Sequence, residues 1–270
     1  MARITRIEDP ADPRIEVYRD VKDRDLRGRE GFMAEGAVVL GNAATRSTHP
    51  FRSLLVAESR LASLESVIAA LPAECTVYVA KPAVLDAIAG FHIHRGILAH
   101  GERTAGRDVG ALLEALGPGA LVVAAFGIAN HDNLGGIFRN AVAFGADAVL
   151  LDPACCDPLY RKAIRVSVGA SLICPFARAD TSEQLVDALS ASSLTAFALA
   201  GGGELEIGDL PESGDGIALL VGSEGHGLPE TAMQRFALVR IAMTGNLDSL
   251  NAATATGIAL HAAARRLKRI

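Results

Sequence analysis

Three short polar segments carry the residue types that could do chemistry. Asn133-Leu134-Gly135-Gly136-Ile137-Phe138-Arg139-Asn140 follows the apolar run from Leu121 to Phe126. Gly222-Ser223-Glu224-Gly225-His226-Gly227-Leu228-Pro229 follows the run from Ile217 to Val221. The third, Asn246 to His261, follows Leu238-Val239-Arg240-Ile241, and its Ser249-Leu250-Asn251 opens an Ala/Thr-rich helix. Ligands of open α/β sheets bind beyond the carboxyl ends of strands, so the three loops read as one shared site. Gly222, Gly225 and Gly227 let backbone approach a ligand closely, so a cofactor here would be held mainly by the loop main chain. A plain tight turn is the other reading of these glycines.

Several chemistries have no motif here. There is no GxGxxG after the first strand, no GxxxxGK[ST], no HExxH and no GxSxG. Four cysteines form no CxxC and no metal-ligand spacing, and Cys155-Cys156 reads as a pair of small residues and not as a redox device. His92 and His94 form a lone HxH, which without further ligands predicts no metal site. Aromatics are 4% with no Trp, against a surface built from stacking platforms. No apolar stretch is long enough to span a bilayer, and no signal pattern opens the chain, so a soluble, cytoplasmic protein is expected. The net charge of −5 does not advertise nucleic-acid binding. Arg3, Arg6, Arg14, Arg19, Lys22, Arg24, Arg27 and Arg29 are interleaved with acids, which reads as a solvated, salt-bridged surface.

The elements that must position the loops fall into two halves. A chain of 270 residues, half of them apolar, fits two domains with a sizeable core. The cut falls in Thr104–Gly119, whose Gly117-Pro118-Gly119 ends one unit and starts another. Before it, strands are predicted at Leu54–Ala57 and Thr76–Ala80, with helices at Arg60–Ala70 and Ala83–Ala89. After it, strands are predicted at Leu121–Ile128, Ala148–Leu151, Leu172–Phe176, Thr195–Leu199, Ile217–Val221 and Leu238–Ala242. The helices between them are Leu134–Phe144, Tyr160–Val168, Ser182–Ala191, Pro229–Phe236 and Leu250–Lys268. Continuous apolar runs alternating with helices specify a parallel sheet covered on both faces. The expected fold is α/β, with domain 1–103, linker 104–119 and a parallel-sheet domain 120–270.

The three loops resemble the three signature motifs of the SpoU-type RNA 2'-O-ribose methyltransferases, a branch of the SPOUT class. Asn133, Gly135 and Arg139 match the first, N-x-G-x-x-x-R. Gly222 to Gly227 match the second, G-S/A-E-G-x-G, and Ser249-Leu250-Asn251 match the third. Asp157-Pro158-Leu159-Tyr160-Arg161-Lys162 and Ser167-Val168-Gly169-Ala170 are also similar, so the likeness covers about residues 120–268. Phe32-Met33-Ala34-Glu35-Gly36 and His94-Arg95-Gly96-Ile97-Leu98-Ala99 resemble elements of the family's small, ribosomal-protein-like RNA-binding domain. Ala34 stands where a larger aliphatic is common. The resemblance implies S-adenosylmethionine as methyl donor, a deep trefoil knot in the C-terminal domain, and a homodimer with the active site near the subunit interface.

It also implies roles. Family carry-over makes Arg139 central. A guanidinium is hard to deprotonate, so its expected work is to bind the target phosphate and stabilise developing alkoxide charge. Asn133 orients Arg139 or the ribose, and can also be the N-cap before Leu134. Glu224 holds Arg139 or a group from a neighbouring subunit, or is a plain turn acid. Ser249 and Asn251 bind substrate or organise the loops, and Ser249 doubles as a candidate N-cap. Gly222, Ile241 and Leu250, with Leu199, Ala200 and Gly201, are expected to hold the donor through backbone and apolar surface. His226 reads as a turn residue.

The leading reading is methyl transfer to a ribose 2'-hydroxyl of structured RNA, rRNA more than tRNA because of the extra N-terminal domain. The alternative is a catalytically inactive RNA-binding protein on the same scaffold. Base N-methylation would need an acid such as Asp248 near the third loop, and Ser-Leu-Asn fits ribose chemistry better. Basic RNA contacts are expected from the N-terminal arginines, from Arg161, Lys162 and Arg165, and from the tail Arg265-Arg266-Leu267-Lys268-Arg269.

Overall fold

The computed structural model describes residues 2–19, 31–89, 96–211, 214–246 and 249–270. Lys22, Arg24, Arg27, Arg29, His92, His94, Arg95 and Asp248 lie outside the described residues. The first elements in chain order are β1 (Arg3–Ile7), β2 (Gly31–Glu35), α1 (Ala37–Ala43), β3 (Phe51–Ala57), α2 (Glu65–Ala70), β4 (Thr76–Ala80), α3 (Pro82–Ala89) and β5 (Ile97–Glu102). Next come α4 (Val109–Glu114), β6 (Ala120–Phe126), α5 (His131–Ala143), β7 (Ala148–Leu151), α6 (Arg161–Val166), α7 (Ala170–Ile173), β8 (Phe176–Arg178) and α8 (Ser182–Ala191). The last are β9 (Thr195–Leu199), β10 (Leu205–Glu206), β11 (Gly216–Gly222), α9 (Glu230–Arg235), β12 (Ala237–Arg240) and α10 (Ala252–Arg266).

Two compact units result. Residues 1–105 and 158–173 form the first, 106–157 and 174–270 the second. This differs from the boundaries expected from sequence in two ways. Segment 158–173 packs with the first unit, where α6 lies on β2 and α7 on α1. The expected linker holds α4, capped by the Asp108 carboxylate, with Val109 and Leu112 buried beside Leu185, Val186 and Leu189 of the second unit.

The first unit is built on a five-stranded mixed sheet of order β1-β4-β3-β5-β2. Strands β1, β4 and β3 run parallel, and β5 runs antiparallel to both β3 and β2. Sequence patterning misses β1 because it is an edge strand with one neighbour. Most of its side chains stay in water, so its charges need not alternate with core residues. Around it, Arg14 pairs with Asp12 and Arg19 with Glu16, as a salt-bridged surface does. Glu35 is buried at the end of β2. Its Oε2 lies 3.8 Å from Nη1 of Arg161 and 4.0 Å from Nη1 of Arg165, so both guanidinium groups face a protein carboxylate. Arg161 is largely buried by this, while the Arg165 side chain stays 41% exposed.

The second unit carries a seven-stranded sheet of order β10-β12-β9-β11-β6-β7-β8, parallel throughout. Its interior strand β6, flanked by β11 and β7, is buried at all seven positions, which is why the run shows no alternation. Val122, Ala124 and Phe126 face the layer containing α4, α8 and α9. Helices α5 and α10 pack against each other, and contact β7 and β11 respectively. The strand expected at Leu172–Phe176 is displaced: Leu172 and Ile173 close α7, and β8 starts only after Pro175. A short buried helical turn and a short buried strand give the same apolar run, and periodicity does not separate them. One arginine of the basic tail is held by the protein itself, while Arg265 and Arg266 stay exposed. Arg269 donates Nη2 to the Gly119 carbonyl (2.7 Å) and to Asp147 Oδ2 (2.6 Å), and Nη1 to the Gly145 carbonyl, so it ties the chain end to its own domain.

All four cysteines are free thiols. Burial pushes Cys75 and Cys156 up to about 11, and Cys155 and Cys174 up to about 12, from an ordinary value of 9.0. The folded chain therefore keeps these protons over a range where the unfolded chain loses them. Thiol burial contributes its full stability below about pH 9, and that contribution is lost as pH rises toward the folded values. The urea midpoint should fall steadily above about pH 9. Thiol alkylation at neutral pH should be negligible until unfolding.

Candidate active site

The three loops leave the carboxyl ends of β6, β11 and β12. Strands β6 and β11 pair in register, with Phe126 opposite Gly222, so the first two loops start side by side. Strand β9 separates β11 from β12, and its own end brings Leu199, Ala200 and Gly201 to the same edge. The Ala200 N–H donates to the Val239 carbonyl (2.9 Å). A Cβ at Gly203 would lie 2.8 Å from the Leu238 carbonyl carbon, so only glycine lets the β9 loop cross β12 this closely.

Glu224 joins the loops. Its Oε1 accepts from Nδ2 of Asn133 (3.1 Å), from Nδ2 of Asn251 (2.8 Å) and from the Ala252 N–H (3.3 Å). Asn251 Nδ2 also donates to Asn133 Oδ1 (2.7 Å), which closes a triangle. Asn251 Oδ1 accepts from the N–H groups of Ala253 (3.1 Å) and Thr254 (3.2 Å), so the same amide caps α10. The turn carrying Glu224 is fixed by a Gly227 N–H to Ser223 carbonyl bond (2.9 Å). Gly227 has φ +67°, and a Cβ on Gly222 would fall 2.2 Å from the Gly227 carbonyl carbon. Both glycines are thus required by geometry. The exposed His226 sits in this turn, its N–H on Ser223 Oγ (3.3 Å).

These contacts revise several expected roles. Asn133 is the third residue of α5; the N-cap is Asn130, whose side chain accepts from the Asp132 N–H. Ser249 is not the cap of the last helix; Asn251 is. Glu224 binds Asn133 and Asn251, not Arg139. Six residues of helix turn Arg139 about 120° from Asn133 and carry it about 9 Å along the axis, so the carboxylate that meets Asn133 does not also meet Arg139. Arg139 is exposed on α5 and, among the described residues, its guanidinium has no acceptor.

Beside Glu224 lies a cavity of about 310 Å³. Leu199, Ala200, Gly201, Gly222, Ile241 and Leu250 all line it, together with Ser249 and Glu224. Asn133, Arg139 and Asn251 do not. Sequence reasoning missed Met233 of α9 and Met243 after β12, two half-exposed side chains on the wall. Met243 stands two residues after the expected Ile241, which was the available signal; Met233 had none. Among the described residues, Glu224 is the one charged group on this wall. The cavity therefore suits a ligand with apolar surface and positive charge and, among the described residues, offers no side-chain cation to a phosphate.

A parallel α/β domain with a small-residue, backbone-rich cavity at its carboxyl edge defines a nucleoside-size ligand site at the end of a sheet. The sequence model of the SpoU rRNA Methylase family matches residues 120–261. The chain belongs to that family, and with it to the RNA methyltransferases. A protein of Mycobacterium tuberculosis named an uncharacterized tRNA/rRNA methyltransferase is 37% identical over 265 residues, covering 94% of this chain and 89% of the relative. A solved RNA 2'-O ribose methyltransferase is similar with a TM-score of 0.76 and 26% identity, covering 98% of this chain and 100% of the other. The AdoMet-bound rRNA methyltransferase of Sinorhizobium meliloti shares the fold with a TM-score of 0.79 at 24% identity, over 97% and 98% of the two chains.

The triangle predicts how Asn251 variants behave. Asn251→Ala removes the α10 cap and should cost about 1–2 kcal/mol in denaturant unfolding. Asn251→Asp keeps a capping oxygen but sets a second carboxylate against Glu224, and each carboxylate raises the other's pKa. Its loss of stability should therefore be full near neutral pH and shrink on acidification, whereas the Ala variant should show no such recovery.

Proposed function

We propose that this protein transfers a methyl group from S-adenosylmethionine to a ribose 2'-hydroxyl of structured RNA, in rRNA rather than tRNA. One observation carries the reading: the three motif loops are joined at Glu224 on the wall of a cavity fit for a cationic, phosphate-free nucleoside. Leu199, Ala200, Gly201, Gly222, Ile241 and Leu250 would hold the donor. When bound, S-adenosylmethionine supplies an electrophilic methyl on a positively charged sulfur. Arg139, exposed and unengaged among the described residues, takes the target phosphate and stabilises the alkoxide that develops at O2' as the hydroxyl proton passes to solvent water. Asn133, Glu224 and Asn251 keep the loops in register, and Ser249 hydrogen-bonds the ribose. Alignment, more than acid–base chemistry, is the enzyme's contribution.

The same reading includes the remaining family features. The N-terminal domain binds RNA. Two copies associate, and the outer face of α5 and α10 is suited to this: a shallow groove lined by Asn140, Phe144, Thr254, Ile258 and His261, with Ile258 exposed, asks for a covering partner. The C-terminal domain is knotted, a proposal supported by the strand order, in which β11 and β12 are each inserted between strands formed earlier. The protein works in the cytoplasm, where four free thiols persist. Among the described residues no helix is long and apolar enough to cross a membrane, and no group of three or more His, Cys, Asp or Glu is placed to hold a metal ion.

Labelled methyl transfer to RNA, followed by nucleoside analysis, tests the reaction. Wild type should give a 2'-O-methylated nucleoside. Arg139→Ala should lower turnover by about 100-fold or more, with donor binding intact and no recovery in Arg139→Lys. RNA binding with bound donor but no transfer would instead make the chain an inactive RNA-binding protein. RNA affinity should fall linearly on a log–log plot against salt, and Arg265→Ala with Arg266→Ala, both exposed on the last turn of α10, should flatten that slope.

A further inference from the structure

The cavity is lined from the ends of β9, β11 and β12, while Arg139 and Asn133 ride on α5, which follows β6. A separate device holds that second side. Asp152 directly follows β7 and is buried at 4% exposure. Its Oδ1 accepts from the N–H groups of Gly127 (3.0 Å), Ala154 (3.1 Å) and Cys155 (3.0 Å), and its Oδ2 from the Ser182 hydroxyl (3.1 Å). Arg178, the last residue of β8, grips the same segment from its carbonyl side. Nη1 donates to Asp152 (2.9 Å) and Cys155 (2.7 Å), and Nη2 to Cys156 (2.8 Å).

The gripped segment is in turn bonded to the loop that leads into α5. The Cys156 N–H donates to the Ile128 carbonyl (2.9 Å). The Ile128 N–H reaches Cys155 Sγ (3.4 Å), and that thiol donates to the Ala125 carbonyl (3.2 Å). Two residues beyond Ile128, Asn130 caps α5. Direct hydrogen bonds thus run from Arg178 and Asp152 through 152–156 to 127–130, and from there to the helix that carries Asn133 and Arg139.

We propose that Asp152 and Arg178 are positioning residues for methyl transfer, which set the start of α5 and so the aim of Asn133 and Arg139. The residue types are those the task requires. A carboxylate can collect converging N–H groups, and a planar guanidinium fork can collect diverging carbonyls, which an ammonium cannot do in one geometry. No residue of 127–130 or 152–156 lines the cavity. The clamp should therefore govern transfer without governing donor binding.

This inference rests on the proposed reaction, so the test has a readout independent of it. In Arg178→Lys, turnover on RNA should fall by as much as about 100-fold, the effect of small misplacement at a reacting centre. The Kd for S-adenosylmethionine should stay unchanged. Added guanidinium should restore part of the activity of Arg178→Ala, and Asp152→Asn should show the same split between turnover and donor affinity. Independently of activity, the Asn133 side-chain amide resonance should move in Arg178→Lys while resonances of Met233 and Met243 at the cavity stay in place. Donor affinity, turnover and melting temperature falling together would overturn the proposal, as would an unmoved Asn133 resonance. Wild type without transfer but with the expected resonance shift would sink the reaction and leave the clamp standing.

Discussion

One carboxylate oxygen, Oε1 of Glu224, is where the loops of the second unit become a site. Its three donors come from α5, from Asn251 and from the first backbone N–H beyond it, so segments following β6 and β12 meet one acceptor in the loop after β11. An ionised acceptor makes stronger bonds than a neutral one, which suits a joint at the edge of solvent. Asn251 extends the joint into the scaffold. Its amide nitrogen serves the joint, and its oxygen serves the N-terminus of α10, so the helix and the loops are set by one side chain.

The joint requires close backbone approach, and small residues supply it. A Cβ at Gly136 would lie 2.6 Å from that of Ala253, and one at Gly257 would lie 2.9 Å from Asn140 Nδ2. Asn140 uses that proximity to donate to the Ala253 carbonyl (2.8 Å), a second tie between α5 and the first turn of α10. The Ala/Gly/Thr character of the last helix is therefore a packing requirement as much as a family signature. The same holds at Gly222, where the turn bearing Glu224 folds back on the strand that leads into it.

The site also divides by origin. The cavity belongs to β9, β11 and β12, while the outward-facing Arg139 belongs to β6 and the clamp beyond β7. Glu224 lines the cavity and, through its bonds to Asn133 and Asn251, ties that side to α5. A division of this kind lets one wall be shaped for a small cofactor and the other for a large polyanion, with their relative placement held by a few hydrogen bonds.

Much of this was legible in the residues. Apolar runs at Ala148–Leu151 and Thr195–Leu199 are strands to the residue, Ser182–Ala191 is the helix expected, and the three motif loops do converge. What was not legible was partnership. Asn133 and Glu224 are separated by 91 residues, and Asn133 and Asn251 by 118, so which amide meets which oxygen depends on strand order that no local pattern encodes. For the same reason Asn130 and Asn251, not Asn133 and Ser249, are the caps, and segment 158–173 joins a unit it does not adjoin in sequence. The sequence by itself determined the element types, the parallel sheet and the chemical inventory, because side-chain period and loop composition are local. Only the tertiary structure decided that Glu224 serves Asn133 and Asn251 and leaves Arg139 to solvent, because hydrogen-bond geometry is short-ranged and the chain that supplies it is not.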